Sequence, residues 1–126
     1  MLVRGIRGAT TVDSNSREAI LDATRELLGE ILRANEVRTE DVASAYFTTT
    51  PDLNAEFPAV TARVDFGWTN VALMCGHEMS VPGSMAMCLR IMLHVNTERA
   101  QDEINHIYLR GAAALRPDLA ATSQER

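Results

Sequence analysis

The sequence predicts a single α+β domain, in which a mixed β-sheet is packed by one long and one shorter helix. Apolar side chains alternate with others along Cys88–Thr97, as on a strand, and recur at helical spacing from Ser16 to Asn35. The chain has 126 residues, of which 46% are hydrophobic and 23% are charged, and this is enough to bury one core. The predicted order of elements is β-α-β-α-β-β-β.

The first half of the chain contains three predicted elements. A strand is predicted over Leu2–Val12, followed by the long helix from Ser16 to Asn35. Asn15 and Glu18 have the spacing of a capping box and therefore mark the start of this helix. A second strand is predicted over Val42–Thr50, which is rich in β-branched and aromatic residues.

The second half begins with the shorter helix, predicted over Phe57–Asp65 because Pro58 suits a first turn. Three strands follow it, and they are predicted over Asn70–Cys75, Cys88–Thr97 and His106–Arg110. Two helices can cover only one face of such a sheet, and its strands are too apolar to leave the other face in water. We therefore expect oligomerisation through the sheet, most simply in a closed ring.

Composition and charge argue against several classes of protein. The net charge is −5 and no stretch is strongly basic, which argues against a nucleic-acid partner. No apolar run is long enough to cross a membrane, and the first residues lack the apolar stretch of a signal peptide. The two cysteines, Cys75 and Cys88, form no disulfide framework. We expect a cytoplasmic protein with both thiols reduced.

Arg90 is the leading candidate for a functional residue. It lies in the most apolar predicted strand, and removing a guanidinium from water without an opposing anion costs several kcal/mol. An anion is therefore predicted beside Arg90, either a carboxylate of this chain or a ligand. Four arginines have small or apolar sequence neighbours: Arg7, Arg63, Arg90 and Arg116. If they converge, their planar guanidinium groups suit a small polycarboxylate, and the alternative is pairing with Asp or Glu.

Three further residues have both a functional and a structural interpretation. Glu78 is either part of the site or the internal partner of Arg90. Cys75 is most simply a small buried residue, because a nucleophilic role would need a base, and His77 is a candidate only by sequence proximity. Tyr108 is a site candidate or an ordinary surface residue. No zinc-site spacing, phosphate loop or dinucleotide motif occurs, so no metal or cofactor is predicted.

Five separate motifs, in order along the chain, are similar to one enzyme family. They are Val3–Val12, Thr50–Leu53, Phe57–Ala59, Gln101–Asp102 with His106–Leu109, and Leu115–Leu119. Together they resemble the monofunctional chorismate mutase of the Bacillus type. On this basis residues 1–119 are predicted to form a chorismate mutase-like domain, and residues 120–126 a mobile C-terminal tail.

The resemblance implies a homotrimer whose sheets form a pseudo-barrel, with active sites in the clefts between subunits. It implies the unimolecular rearrangement of the dicarboxylate chorismate to prephenate, on the route to phenylalanine and tyrosine. The reaction would proceed by conformational restraint of the substrate and electrostatic stabilisation of its ether oxygen, without a cofactor.

The same resemblance implies roles for individual residues. Arg90 would contact the ether oxygen and a carboxylate of the substrate. Arg7 would hold the carboxylate of the enolpyruvyl side chain, with Tyr108 hydrogen-bonded nearby. Glu78 and Cys75 would meet the ring hydroxyl. The walls and mouth of the cleft would be formed by Phe57, Ala59, Leu73, Met74 and Leu115, with Arg63 and Arg116 near the entrance.

Two other functions remain open. A non-catalytic trimeric module could bind small carboxylates with the same arginines, but it would not need Glu78 and Cys75 beside Arg90. An imine-hydrolysing enzyme on a similar trimeric fold would activate water, and its rate would therefore depend on the hydrogen isotope of the solvent.

Overall fold

The computed structural model describes residues 1–115 and contains the predicted elements in the predicted order. The strands are β1 (Leu2–Thr11), β2 (Val42–Thr49), β3 (Ala72–His77), β4 (Cys88–Thr97) and β5 (Ile107–Tyr108), and the helices are α1 (Arg17–Asn35) and α2 (Ala59–Val64). Short 3-10 helices occur at Thr39–Asp41, Gln101–Glu103 and Arg110–Leu115. The α+β class is thereby confirmed. Arg116 and the predicted tail, residues 120–126, lie outside the described residues.

The strands of this part of the chain form one sheet in the order β3-β2-β4-β1-β5. Strand β4 pairs antiparallel with β1 and β2, whereas β3 is parallel to β2 and β5 is parallel to β1. A parallel pair needs a crossover connection, and α2 lies in the connection between β2 and β3. The central strand shows the predicted alternation, because Leu89, Ile91 and Leu93 are buried while Arg90 is exposed.

Helix α1 packs on one face of the sheet and supplies much of the core. Leu27 and Ile31 are fully buried in one cluster with the sheet residues Phe47 and Leu93. Gly8 permits this close approach, because a Cβ at that position would lie 2.7 Å from Cδ1 of Ile31. The helix therefore rests directly on the backbone of β1.

The start of α1 differs from the prediction in its capping residue. Ser16 is the N-cap: its backbone is extended, and its Oγ accepts a hydrogen bond from the Ala19 N–H at 3.2 Å. The side-chain oxygen of Asn15 instead accepts hydrogen bonds from the N–H groups of Asn54 and Ala55, each at 3.0 Å. The predicted capping box is wrong, because the Asn15 side chain forms its hydrogen bonds with the loop before α2 and not with the start of α1.

Three element boundaries also differ from the prediction. Helix α2 is shorter than the predicted Phe57–Asp65. Strand β3 runs over Ala72–His77 and not over the predicted Asn70–Cys75, and its last residue, His77, pairs in register with Thr49 of β2. Strand β5 ends at Tyr108 because the chain turns soon afterwards, where Arg110 has a positive φ of 51° and begins a 3-10 helix.

The face of the sheet opposite α1, here called the open face, is covered by residues 1–115 at one end only. There the 3-10 helix Arg110–Leu115 contributes to a second, smaller buried cluster. This cluster consists of Ala9, Cys88, Tyr108 and Ala112. Elsewhere on the open face large side chains are in solvent, such as Tyr46, which is 45% exposed, and Met74, which is 64% exposed.

Candidate active site

Arg90 lies in the middle of a row of residues that crosses the sheet on its open face. Strand by strand, the row runs through Tyr108, Ala9, Arg90, Thr48 and Gly76. Residues paired directly across strands have side chains on the same face. Arg90 therefore has the Ala9 methyl group on one side and the Thr48 side chain on the other, and it points away from α1.

Glu78 follows the last residue of β3 and reaches this row from the edge of the sheet. Its N–H donates to the carbonyl oxygen of Thr49 at 2.9 Å, and its carboxylate accepts a hydrogen bond from the Thr48 hydroxyl. The same carboxylate oxygen, Oε2, lies 3.6 Å from Nε of Arg90. This separation makes an ion pair but exceeds the length of a hydrogen bond. The internal partner considered for Arg90 is therefore present, without a tight contact.

Two cavities meet at the Arg90–Glu78 pair. The first, of about 390 Å³, is a groove along the open face. It is also lined by Arg7, Thr48, Met92, His94 and Tyr108. The second, of about 520 Å³, lies between the pair and the loop after β3, with Leu115 in its wall. A ligand in either cavity can reach Arg90, so the Glu78 carboxylate does not fill the site.

The Arg90 side chain is 47% exposed in the described chain, so the guanidinium is partly withdrawn from water, as expected in so apolar a strand. The groove is open on the side away from the sheet, and nothing in the described chain closes it. The guanidinium also lies near the Cys88 thiol, whose pKa is raised by burial although the charge of Arg90 opposes that shift. Arg90 is thus held by its neighbours while remaining hydrated.

Arg7 and Tyr108 complete the polar lining of the groove. Arg7 precedes Ala9 by two residues on β1 and therefore shares the open face. Its backbone N–H donates to Nδ1 of His106 at 3.0 Å, which joins β1 to the segment before β5. Tyr108 is buried in the cluster that contains Ala9 and Ala112. Two arginines, a tyrosine and a carboxylate therefore line one groove.

Several of the other predicted site residues are separated from the groove. Leu73 and Cys75 alternate with Met74 along β3, so they pack toward the core while Met74 faces solvent. Cys75 lines a different cavity of about 360 Å³, here called the Phe57 cavity after the exposed side chain at its edge. Within one chain Cys75 and Arg90 lie on opposite faces of the sheet, because Cys75 pairs with the buried Phe47 and successive residues of a strand face opposite sides.

Two groups of helix α2 act on the thiol of Cys75, which lines the Phe57 cavity. The Ala59 N–H donates to the sulfur, and the positive charge of Arg63 acts on both Cys75 and Glu56. Burial nevertheless raises the pKa of the Cys75 thiol, so it is protonated at neutral pH. A protonated thiol is a weak nucleophile, which argues against covalent catalysis by this residue.

Thr48, whose hydroxyl contacts Glu78, is not among the site residues predicted from the sequence. The alternation along β2 places Thr48 with Tyr46 on the open face. Nothing in the sequence gives the strand register, however, and without it Thr48 cannot be placed beside Arg90. Leu115 lies near the pair, whereas the position of Arg116 is not among those described.

Within residues 1–115, no group of three or more His, Cys, Asp or Glu side chains is arranged to hold a metal ion. No helix in the same part of the chain is both long enough and apolar enough to cross a membrane. The groove offers fixed positive charge and hydrogen-bond donors, an arrangement suited to a small anionic ligand.

Comparisons with known proteins agree on one family. A family model described as Chorismate mutase type I matches residues 3–119. Chorismate mutase AroH of Bacillus subtilis (strain 168) is 45% identical over 122 residues, which span 97% of this chain and 96% of that protein. Chorismate mutase AroH of Thermus thermophilus is 47% identical over 119 residues, which span 94% of this chain and 97% of that protein.

A solved structure extends the similarity to the fold. A chorismate mutase from Clostridium thermocellum matches with a TM-score of 0.85 at 47% sequence identity, covering 87% of this chain and 97% of that one. The resemblance found in the five sequence motifs is thereby confirmed. The chain belongs to the chorismate mutase type I family and is an isomerase.

Proposed function

We propose that this chorismate mutase rearranges chorismate to prephenate in the groove, with Arg90 stabilising the transition state. One observation carries the proposal: side chains from four separate segments line a single groove. They are Arg7, Glu78, Arg90 and Tyr108. The substrate is a small dicarboxylate, and two guanidinium groups in one groove match its two negative charges.

The chemistry requires no nucleophile. One ether C–O bond breaks while one C–C bond forms within the same molecule, so no atom, proton or electron is exchanged with the protein. Negative charge grows on the ether oxygen as its bond to carbon stretches. A fixed N–H donor at that oxygen stabilises the transition state more than the ground state, and one such donor is worth about 3–4 kcal/mol. We assign this role to Arg90.

The other residues orient the substrate in its reactive, folded conformation. Arg7 binds the carboxylate of the enolpyruvyl side chain, and Tyr108, at the same end of the row, donates a hydrogen bond beside it. Glu78 accepts a hydrogen bond from the ring hydroxyl. The cavity of about 520 Å³ beside Arg90, with Leu115 in its wall, leaves room for part of the ligand.

We further propose that a second subunit of a homotrimer completes the site. The Phe57 cavity is lined by Phe57 and Cys75, where Arg90 of the same chain cannot meet them. Three further predicted side chains lie close to Cys75: Ala59 and Arg63 on α2, and Leu73 two residues before it on β3. Strand β3 is an edge strand, so an adjacent subunit can bring this cavity to the groove. Its apolar walls, together with Met74, would then shield Arg90 from water.

Other features remain predictions at this stage. They are the pseudo-barrel arrangement of the trimer, the domain limits 1–119, the mobility of residues 120–126, the role of Arg116 near the entrance, and the cytoplasmic location.

The decisive experiment mixes the purified protein with chorismate and follows the loss of its ultraviolet absorbance, with prephenate identified as the product. We expect turnover without added metal or cofactor and without a sizeable solvent deuterium effect on kcat. Binding of chorismate without its consumption would instead indicate a carboxylate-binding module. A large solvent isotope effect on the chemical step would indicate water activation and contradict the unimolecular mechanism.

A further inference from the structure

We propose that Thr48 is a positioning residue, which prevents the Glu78 carboxylate from closing onto Arg90. The inference rests on the proposed function, since it concerns the availability of Arg90 to the substrate. Thr48 donates its hydroxyl hydrogen to Glu78, and the carboxylate in turn stands beside the guanidinium. Thr48 would therefore act on catalysis through Glu78, even though it also lines the groove.

Thr48 lies beside both charged groups. It is the direct cross-strand neighbour of Arg90 on β4, and its hydroxyl binds Oε2 of Glu78. This same oxygen is the one nearest to Arg90, at 3.6 Å from Nε. The next residue of β2, Thr49, accepts the Glu78 N–H at 2.9 Å. Two consecutive residues of β2 thus fix both the backbone and the carboxylate of Glu78.

Another arginine–glutamate pair in the chain shows the usual contact. Arg110 binds Glu26 through two parallel hydrogen bonds, with Nε to Oε1 and Nη2 to Oε2 both at 3.0 Å. Its exposure is similar, at 54% and 42% for the two side chains against 47% and 31% for Arg90 and Glu78. Solvent access therefore does not explain why the Arg90 pair is wider. The hydrogen bond from Thr48 explains the wider pair, because it holds Oε2 beside β2 and so fixes the carboxylate at a distance from the guanidinium.

The wider pair has a chemical consequence at Arg90. A guanidinium has five N–H donors, and a bidentate carboxylate would occupy two of them in a fixed geometry. Because Thr48 keeps the Glu78 carboxylate at this distance, the Nε–H of Arg90 and its neighbouring N–H donor remain available to the ether oxygen and a carboxylate of the substrate. The carboxylate still supplies a nearby negative charge that keeps Arg90 in the groove.

The test compares Thr48→Val, which keeps the shape but removes the hydroxyl, with Thr48→Ser, which keeps the hydroxyl. We expect Thr48→Val to lower kcat by about tenfold or more, since a hydrogen bond to a charged group is lost and Arg90 is captured. Thr48→Ser should stay close to the parent enzyme. Equal losses in the two variants, or an unchanged Thr48→Val enzyme, would overturn the proposal.

Repeating the Thr48→Val replacement in an enzyme that already carries Glu78→Gln distinguishes a positioning role of Thr48 from a merely structural one. In Glu78→Gln enzyme the charge that could capture Arg90 is gone, so adding Thr48→Val should change kcat by less than about twofold. A loss as large as in the parent background would mean that Thr48 acts independently of Glu78, and the proposal would fail. Circular dichroism and sedimentation confirm that the compared variants share fold and assembly.

A measurement on the ligand-free protein needs no turnover. The Nε–H signal of Arg90 in 15N-labelled protein, identified by its loss in Arg90→Lys, reports hydrogen bonding to Glu78. Its exchange with solvent should slow in Thr48→Val and stay unchanged in Thr48→Ser, and equal rates in all three proteins would refute the capture of Arg90. Absence of chorismate turnover in the parent protein would refute the proposed function and leave this result to stand separately.

Discussion

The effect of Arg90 on a reacting oxygen depends on how much water surrounds the guanidinium. Two unit charges roughly 4 Å apart interact by about 1 kcal/mol in bulk water and by about 4 kcal/mol at the effective dielectric constant near a protein surface. Arg90 is nearly half exposed in the described chain, which favours the lower value while the groove stays open. Covering the groove would therefore strengthen the interaction between Arg90 and the reacting oxygen, in addition to enclosing the substrate.

Replacement of Arg90 by citrulline keeps the shape of the side chain and removes its charge. We expect kcat to fall on the order of 10²–10³-fold, with a smaller rise in KM, because the lost interaction is strongest in the transition state. Steady-state kinetics with chorismate measures both constants. The same replacement at Arg33, which pairs with Glu30 on the exposed side of α1, is the control and should leave them unchanged. A rise in KM alone would contradict the role assigned to Arg90.

Asp52 should stabilise the loop before β4 in a pH-dependent manner. Its carboxylate accepts hydrogen bonds from the Thr50 hydroxyl and, at 2.9 Å, from the Met87 N–H, and these lower the pKa of Asp52. A lowered folded-state pKa contributes stability that is present above the unfolded-state pKa and is lost as the pH falls through the folded-state value.

The replacement Asp52→Ala should therefore lower the free energy of unfolding by about 1 kcal/mol or less at neutral pH, since the group is exposed. The difference from the parent protein should narrow as the pH falls below about 4. Urea unfolding of both proteins over this pH range measures it. A difference that grows toward low pH would show that the carboxylate charge is not the stabilising group.

At the scale of elements, the predictable parts are those with one buried and one exposed side. Strand β4 and helix α1 have clear periodicity, because each packs a single apolar face against the core. Helix α2 and strand β5 are too short to show a period, so their ends were misplaced. The pairing of Thr48 with Arg90 depends on strand register, a long-range property that neither segment encodes alone.

The contact between α1 and β1 can be tested with two glycine replacements. In Gly8→Ala the new Cβ would lie 2.7 Å from Ile31 and 3.0 Å from Leu27, so we expect a loss of about 1–3 kcal/mol of stability. In Gly29→Ala the new Cβ meets nothing within 4 Å inside a helix, so we expect a gain of about 0.5–1 kcal/mol. Thermal unfolding measures the stability of both variants. A loss of stability in Gly29→Ala as well would contradict the prediction that helix propensity determines the effect of this replacement.

At the scale of the whole molecule, one face of the sheet is covered by a helix and the other is mostly exposed. Helix α1 buries the first, while the second leaves side chains such as Tyr46 and Met74 in solvent. The sequence predicted this imbalance from the number of helices, and the described chain has it. The arrangement of subunits that would cover the open face was not predictable from periodicity, because each pattern refers only to its own chain.

The replacement Met74→Glu places a charge on the exposed edge of the open face. We expect the assembly to dissociate, because burying an unpaired carboxylate between subunits is costly, while the monomer keeps its secondary structure. Sedimentation equilibrium measures the mass, and circular dichroism checks the fold. Arg33→Glu, on the outer side of α1, should remain a trimer. A parent protein that sediments as a monomer would contradict the proposed trimer directly.

The separation of Arg90 from the Phe57 cavity by the sheet has a genetic consequence. Two alleles, one without Arg90 and one with the charge reversal Arg63→Glu, would damage different halves of the shared site. If each site draws on two subunits, as proposed, coexpressed chains that mix at random should rebuild about a quarter of the sites from two intact halves. Enzyme activity would then return in cells that carry both defective genes, although neither gene product is active by itself.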